Sequence, residues 1–467
     1  VVAGASPAER ERWLVDLADS LERAADELVD LSDAETALGP ERLRGELGKT
    51  AAQARFYGAV ATEGSWLSAR LDQVAGPAPM DLRRANQPVG PVAVFGASNF
   101  PFCFGVAGHD TLSALAAGCP VLVKGHPAHP RLSVRLGQVV AASLAESGAP
   151  AGAFGLVAGF EAGLALVDAP EVRAVAFTGS QTAGMALLQR ASRRPQPIPV
   201  FAEMGTVNPV VLTPAAARGD LAALAEAFVG SFTLGQGQFC TKPGLLLAPR
   251  GAGAQDAVVA ALASATPGWL LTEGMATSYE TGLQSLVAAG ARRVGQGGRH
   301  TIGFAVAPTV FAAEIDDLNP GSRLLEECFG PIALVVEYDD AAQLKAALGR
   351  LQPSLAAAVA TAGADDPDTA WLVADLSMRV GRVVVDGWPT GVVTSWAQQH
   401  GGPWPATNRP DATSVGAAAL DRFTRPVAFQ DVPESALPAA LRAENPWGLS
   451  RRVNGVLQNG VLVTPER

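Results

Sequence analysis

Lysine is scarce in this chain. Of 35 basic residues only four are lysine, Lys49, Lys124, Lys242 and Lys345. The arginine bias is the mark of genome composition, so each retained lysine draws attention, Lys124 and Lys242 first. Cysteine is equally sparse. Cys103, Cys119, Cys240 and Cys328 are widely separated, with no CxxC pair and no histidine cluster nearby. That spacing argues against a disulfide framework or a zinc site and for a reduced, cytoplasmic compartment. The five histidines form no evident constellation, and His126 and His129 flank a proline at a spacing unlike a helical metal pair, so no metal is expected. An excess of basic charge is also missing. A net charge of −10 and a pI near 5.1 argue against nucleic acid or an acidic membrane surface as the partner. No uninterrupted apolar run of about 18 residues occurs, which argues against a membrane span. The opening VVAGASPAERERW turns charged at once, so no signal peptide is expected.

What the chain does have is bulk and apolar content. Its 467 residues (47.9 kDa) are 48% hydrophobic and 17% charged, the composition of a packed globular protein with two to four domains. Fifty glycines and 34 prolines imply many structured turns. Residues 6–32 read as one amphipathic helix. Ser6-Pro7-Ala8-Glu9 gives an N-cap, a first-turn proline and a capping-box glutamate, and Trp13, Leu14, Leu17, Leu21, Leu28 and Leu31 fall on one stripe. A second helix runs from Pro40 towards Gly58. Residues 64–90 turn strand-like around Gly76-Pro77-Ala78-Pro79 and leave the domain core. From Pro91 short apolar runs alternate with helices: strands at 92–95, 120–123, 172–177 and 200–202, with helices near 111–117, 133–147 and from 180. Unalternating strands separated by helices predict a doubly wound parallel sheet. The pattern restarts at 210–212, with a helix at 220–228 and strands at 245–248, 383–385 and 427–429, so a second α/β domain follows. Residues 250–322 give no clear period.

Several residues could carry chemistry. Cys240 lies in Gly235-Gln236-Gly237-Gln238-Phe239-Cys240-Thr241-Lys242, a loop that can present an uncrowded sulfur, and Lys242 would favour its thiolate. The alternative is an inert packed cysteine. Glu203 ends an apolar strand, where partial desolvation suits a general base or acid; a solvated strand-end carboxylate reads equally well. Asn99, in Ser98-Asn99-Phe100-Pro101, is either an oxyanion donor or a turn former. Phe177-Thr178-Gly179-Ser180 joins strand to helix and either offers N–H groups to a phosphate or simply caps the helix. No GxGxxG accompanies it. Glu326-Glu327-Cys328-Phe329-Gly330-Pro331 is either a pair of ribose-binding acids or an exposed charged turn.

Taken in order, Ser98–Pro101, Lys124–Pro127, Phe177–Ser180, Phe201–Pro209, Gly237–Gly244 and Glu326–Pro331 resemble the aldehyde dehydrogenase superfamily. The wording of Phe95–Pro101, Val123–Pro130, Gly237–Thr241, Gly387-Trp388-Pro389-Thr390-Gly391 and His400-Gly401-Gly402-Pro403 is similar to its α-ketoglutarate semialdehyde (2,5-dioxopentanoate) branch. The resemblance implies a cysteine nucleophile at Cys240, an oxyanion held by the Asn99 amide and the Cys240 N–H, and a thioester hydrolysed by water that Glu203 activates. It implies cofactor contacts from Lys124 (adenosine ribose), Gly179 and Ser180 (pyrophosphate), Glu327 (nicotinamide ribose) and Phe329. NAD-preferring relatives carry an acid where Pro127 stands, so NADP or NAD is the expected cofactor.

The implied architecture is a doubly wound NAD(P)-binding domain (1–63 and 91–205), a second α/β catalytic domain (206–420), and a small β oligomerisation element with a C-terminal segment (64–90 and 421–467). A homodimer or homotetramer acting on a small-molecule aldehyde follows. Rival readings are oxidation of other aldehydes such as fatty aldehydes, transfer of the thioester to coenzyme A, which Glu203 opposes, and a catalytically retired binding protein. Arg409 is one candidate anchor for a substrate carboxylate among thirty-one arginines.

Overall fold

The computed structural model describes residues 2–460. The chain opens on helices Pro7–Arg23, Ala25–Thr36 and Pro40–Glu63. The first is closed by the capping box: Ser6 Oγ accepts from the Glu9 N–H at 3.2 Å, and the Glu9 carboxylate accepts from the Ser6 N–H at 2.7 Å. The helix read over 6–32 is in fact two, broken at Ala24, whose φ/ψ of −91°/8° leave the helical region. Trp13, Leu14, Leu17 and Leu21 form its buried face.

The first parallel sheet has five strands in the order Phe154–Val157, Val121–Lys124, Val92–Phe95, Ala174–Gly179 and Val200–Met204. The central strand comes first in the chain and its neighbours are added outward on both sides, which makes the sheet doubly wound. Crevices at the carboxyl ends of such strands are where ligands bind. The second sheet has seven strands, running from Arg292–Gln296 through Thr309–Ala313, Ile332–Tyr338, Pro243–Pro249, Asn208–Leu212 and Ser354–Ala360 to Val380–Val385. All its neighbours are parallel except the edge strand Arg292–Gln296. Its central strands are buried on both faces, so they are mostly apolar and do not alternate.

A third sheet joins distant parts of the chain. The hairpin Arg70–Val74 and Met80–Pro88 pairs with Thr424–Gln430 on one side and with Arg451–Val453 and Val456–Gln458 on the other. Residues 461–467 of the expected C-terminal segment lie outside the described residues. Among the described residues no helix is long and apolar enough to cross a membrane.

Candidate active site

The Val200–Met204 strand is the edge of the first sheet, and it is completed by a late segment. The Met204 N–H donates to the Ala406 carbonyl at 2.8 Å, Ala202 N–H donates to Asn408 Oδ1 at 2.9 Å, and Glu203 bridges Thr407 in antiparallel fashion. That pairing carries residues 400–408 across the carboxyl end of the sheet and seats His400 between Glu203 and Cys240. His400 Nε2 lies 3.0 Å from Glu203 Oε2 and 3.6 Å from Cys240 Sγ. The three donor atoms lie within 4.8 Å of one another. The His400 and Glu203 side chains are 2% and 4% exposed. Both Glu203 carboxylate oxygens are buried without a well-aligned hydrogen bond, which leaves them free to accept a proton.

Cys240 is half-buried in the loop that leads into the Pro243–Pro249 strand. Asn208 staples that loop: its Nδ2 donates to the carbonyls of Cys240 and Lys242, both at 2.9 Å, while its Oδ1 accepts from the Ala356 N–H. Gly237 adopts φ +65°, and a Cβ there would strike the Gly330 carbonyl, so only glycine lets the two loops meet. Asn99 Nδ2 donates to the Gln238 carbonyl at 2.9 Å, two residues before the sulfur. Burial, then the charges of Glu203 and Glu327, push the Cys240 thiol well above its ordinary range.

Lys242 does not serve the thiolate as expected. Its Nζ donates to the carbonyls of Ile332 at 2.9 Å and Cys328 at 3.4 Å. Burial lowers its pKa, and the neighbouring Cys328 and Glu327 oppose that shift. Glu327, buried beside Glu203 and relieved by Lys242, has its pKa pushed up to about 7. A Cβ on Gly205 would collide with the Glu327 carboxylate. Arg409, the candidate anchor, is ion-paired with Asp411 at 2.6 Å and lines a separate cavity beside Phe201.

A cavity of about 1180 Å³ runs from Phe160 and Arg193, past Lys124, Gly179, Ser180, Glu327 and Phe329, to Asn99, Glu203 and Cys240. The eight residues to which the resemblance gives catalytic or cofactor roles therefore line one cavity, whereas Lys242 and Arg409 do not. The profile of the aldehyde dehydrogenase family matches residues 2–404. The chain belongs to the aldehyde dehydrogenase family.

This aldehyde dehydrogenase is 43% identical over 460 residues to alpha-ketoglutaric semialdehyde dehydrogenase 2 of Azospirillum brasilense, a match covering 96% of the chain and 87% of the relative. It is 40% identical over 461 residues to the alpha-ketoglutaric semialdehyde dehydrogenase of Acinetobacter baylyi, with the same coverage of both chains. In fold it is similar to the NAD-dependent aldehyde dehydrogenase of Sinorhizobium meliloti. That likeness has a TM-score of 0.77 and 23% identity over 92% of this chain and 83% of the other.

Members of the family use NAD(P), and the cavity fits that group. Thr178 Oγ1 is buried with no partner, and no hydrogen bond or ion pair engages Lys124 Nζ among the described residues. Gly179 leaves room that a Cβ, 2.7 Å from the Phe177 ring, would fill. Ser180 caps the helix Gln181–Ser192 by accepting from the Ala183 N–H, so that helix start faces the cavity. The sequence reading missed two residues here. Asn208 stood inside a quoted motif without a role. His400 stood in the His-Gly-Gly-Pro signature as a branch marker only, and the structure places it between Glu203 and Cys240.

Proposed function

We propose that the enzyme oxidises α-ketoglutaric semialdehyde to its carboxylate with NAD(P)⁺. The observation that carries this reading is the 43% identity to the Azospirillum relative across 96% of the chain, together with the single cavity that holds Cys240, Asn99 and Glu203. Cys240 Sγ attacks the aldehyde carbon. The oxyanion that develops accepts hydrogen bonds from the Asn99 amide, held in place by the Gln238 carbonyl, and from the Cys240 N–H. Lys124, Gly179, Ser180, Glu327 and Phe329 hold the cofactor, which supplies a hydride acceptor when bound. Glu203, buried beside His400 with neither carboxylate oxygen in a well-aligned hydrogen bond, takes a proton from the water that hydrolyses the Cys240 thioester.

The cofactor region comprises residues 1–63 and 91–205 and the catalytic region 206–420. The third sheet mediates self-association into a homodimer or homotetramer: its edge strand Val456–Gln458 leaves Val456 and Leu457 exposed, a ready pairing edge. Four free cysteines fit a reducing cytoplasm. The test is a panel of semialdehydes and long-chain aldehydes, assayed with NAD⁺ and NADP⁺ separately, each with and without coenzyme A. Preference for a fatty aldehyde, or product only with coenzyme A, overturns the substrate assignment.

A further inference from the structure

The catalytic reading leaves one buried residue without a task. His400 occupies the space between nucleophile and carboxylate, and a single ring nitrogen faces both. Nε2 stands 3.6 Å from Cys240 Sγ and 3.0 Å from Glu203 Oε2, with the ring otherwise packed near Phe104. Its backbone is pinned. The His400 N–H donates to Thr413 Oγ1 at 2.8 Å, and its carbonyl accepts from the Ser414 N–H at 2.9 Å. A merely space-filling imidazole would have no reason to reach both reacting groups through the same atom.

We infer that His400 is the base for the Cys240 thiol, storing the proton on Nε2 while the sulfur carries the substrate. This rests on the assignment of Cys240 as nucleophile. The neutral imidazole, protonated on Nδ1, accepts the thiol proton on Nε2. The S–H bond breaks, the sulfur keeps the electron pair, and the proton on Nε2 makes an imidazolium whose nitrogen lies 3.0 Å from the Glu203 carboxylate. The imidazolium and carboxylate hold each other as an ion pair while sulfur is bonded to the carbonyl carbon. When water cleaves the thioester, Glu203 takes one water proton, the hydroxyl goes to the carbonyl carbon, and the departing thiolate recovers the proton stored on His400. The Glu203 proton and that of the new carboxylic acid leave to solvent, so the cycle closes.

The surroundings explain why such a base is needed. Burial and two carboxylates, Glu203 and Glu327, oppose ionisation of the thiol, and the Lys242 ammonium is taken up by the carbonyls of Ile332 and Cys328. A base that begins neutral and becomes cationic next to Glu203 removes the proton without adding negative charge. The other groups bearing on the site are Arg382, which senses the Cys240 charge, and His109, which senses His400 and Arg422 and is bonded to Tyr57. Burial above all, with the nearby Arg422 guanidinium, lowers His109 to about 3, so it stays neutral and does not compete for the proton.

The test is alkylation of the cofactor-free protein by iodoacetamide as a function of pH, with Cys240→Ala to subtract the other cysteines. Wild type should alkylate at about pH 7, well below the range of an unassisted thiol. His400→Ala should be slower there by about tenfold or more, the deficit narrowing as pH rises. Free imidazole should restore much of the His400→Ala rate, whereas His400→Gln should stay slow without rescue. A folded His400→Ala protein with the wild-type profile overturns the inference. So does wild type that alkylates only above about pH 9, an outcome that needs no variant to fold. If wild type alkylates as described but oxidises no aldehyde, the functional assignment fails and the proton store stands. If wild type oxidises the semialdehyde while alkylation ignores His400, the reverse holds.

Discussion

Arg42 donates at 2.8 Å to the main-chain oxygen of Asn99. One turn further along the same helix, Glu46 accepts from the N–H groups of Phe102 at 2.8 Å and Cys103 at 3.0 Å. The two residues thus hold both ends of the Asn99–Cys103 turn. Arg42 also lies 5.3 Å and 5.4 Å from the ring centres of Phe100 and Phe239, so one guanidinium spans the oxyanion turn and the residue before the nucleophile. Arg42→Ala should lower kcat by about tenfold to a hundredfold through displacement of the Asn99 amide, with little change in cofactor affinity. Steady-state kinetics beside fluorescence titration of NAD(P)⁺ decide it, and an unchanged kcat would remove the clamp.

Glu46 is 5% exposed and burial pushes its carboxyl up to about 7. A carboxyl raised above its unfolded value holds its proton longer when folded, so it costs stability as pH climbs from about 4.5 to about 7. Glu46→Gln keeps an oxygen for the turn N–H groups and cannot ionise. Relative to wild type it should therefore gain stability from pH 4 to pH 8, by up to about 3 kcal/mol. Denaturant unfolding at the two pH values measures this, and a pH-independent difference would contradict it.

Asn208 joins three main-chain groups inside the second sheet, two of them in the nucleophile loop. Asn208→Ala leaves two buried carbonyls and one N–H unpaired, at a cost of about 2–4 kcal/mol. Activity should fall further than the loss of folded protein accounts for, because the Cys240 carbonyl is released. Wild-type specific activity per folded molecule would show that the staple serves stability alone.

The contrast between Glu203 and His400 shows what the sequence could carry. Glu203, Cys240 and Asn99 sit beside apolar strands or glycine turns, so local chemistry marks them. His400 reaches Cys240 across 160 residues and is delivered by strand-like pairing of a turn-rich segment that has no periodicity of its own. Much of the first sheet was legible because its strands are short, largely apolar runs separated by helices. Phe154–Val157 escaped notice as a four-residue strand between turns, and Ser354–Ala360 because SLAAAVA is mostly alanine, a helix former. That strand is placed by its neighbours, Asn208–Leu212 and Val380–Val385, rather than by its own propensity. Lys242 misled for a related reason: proximity in sequence suggested proximity of charge, but its side chain follows the carbonyls of Ile332 and Cys328.

Glu203→Gln should divide the reaction in two. Thioester formation, which needs Cys240 and Asn99, should proceed, while the neutral carboxamide cannot take a proton from water. A first turnover of NAD(P)H close to one equivalent per active site should be followed by a steady state about a hundredfold slower or more. Mass spectrometry of the quenched protein should find the acyl group on Cys240. A linear time course at the wild-type rate, with no acylated protein, would contradict the role of Glu203.

Pro127 bears on the choice between NADP⁺ and NAD⁺. It is exposed at the turn before the helix Pro130–Glu146, three residues after Lys124. Only burial shifts the Lys124 ammonium, downwards, so no carboxylate nearby offsets it. A 2′-phosphate arriving there meets an uncompensated ammonium. Pro127→Glu introduces a negative charge that repels the phosphate and leaves an unphosphorylated ribose able to hydrogen-bond the new carboxylate. The dissociation constant for NADP⁺ should rise by about tenfold or more, equivalent to about 1.4 kcal/mol, while that for NAD⁺ changes little or falls. Quenching of intrinsic tryptophan fluorescence reads both constants without turnover, and equal shifts for the two dinucleotides would show that position 127 does not discriminate between them.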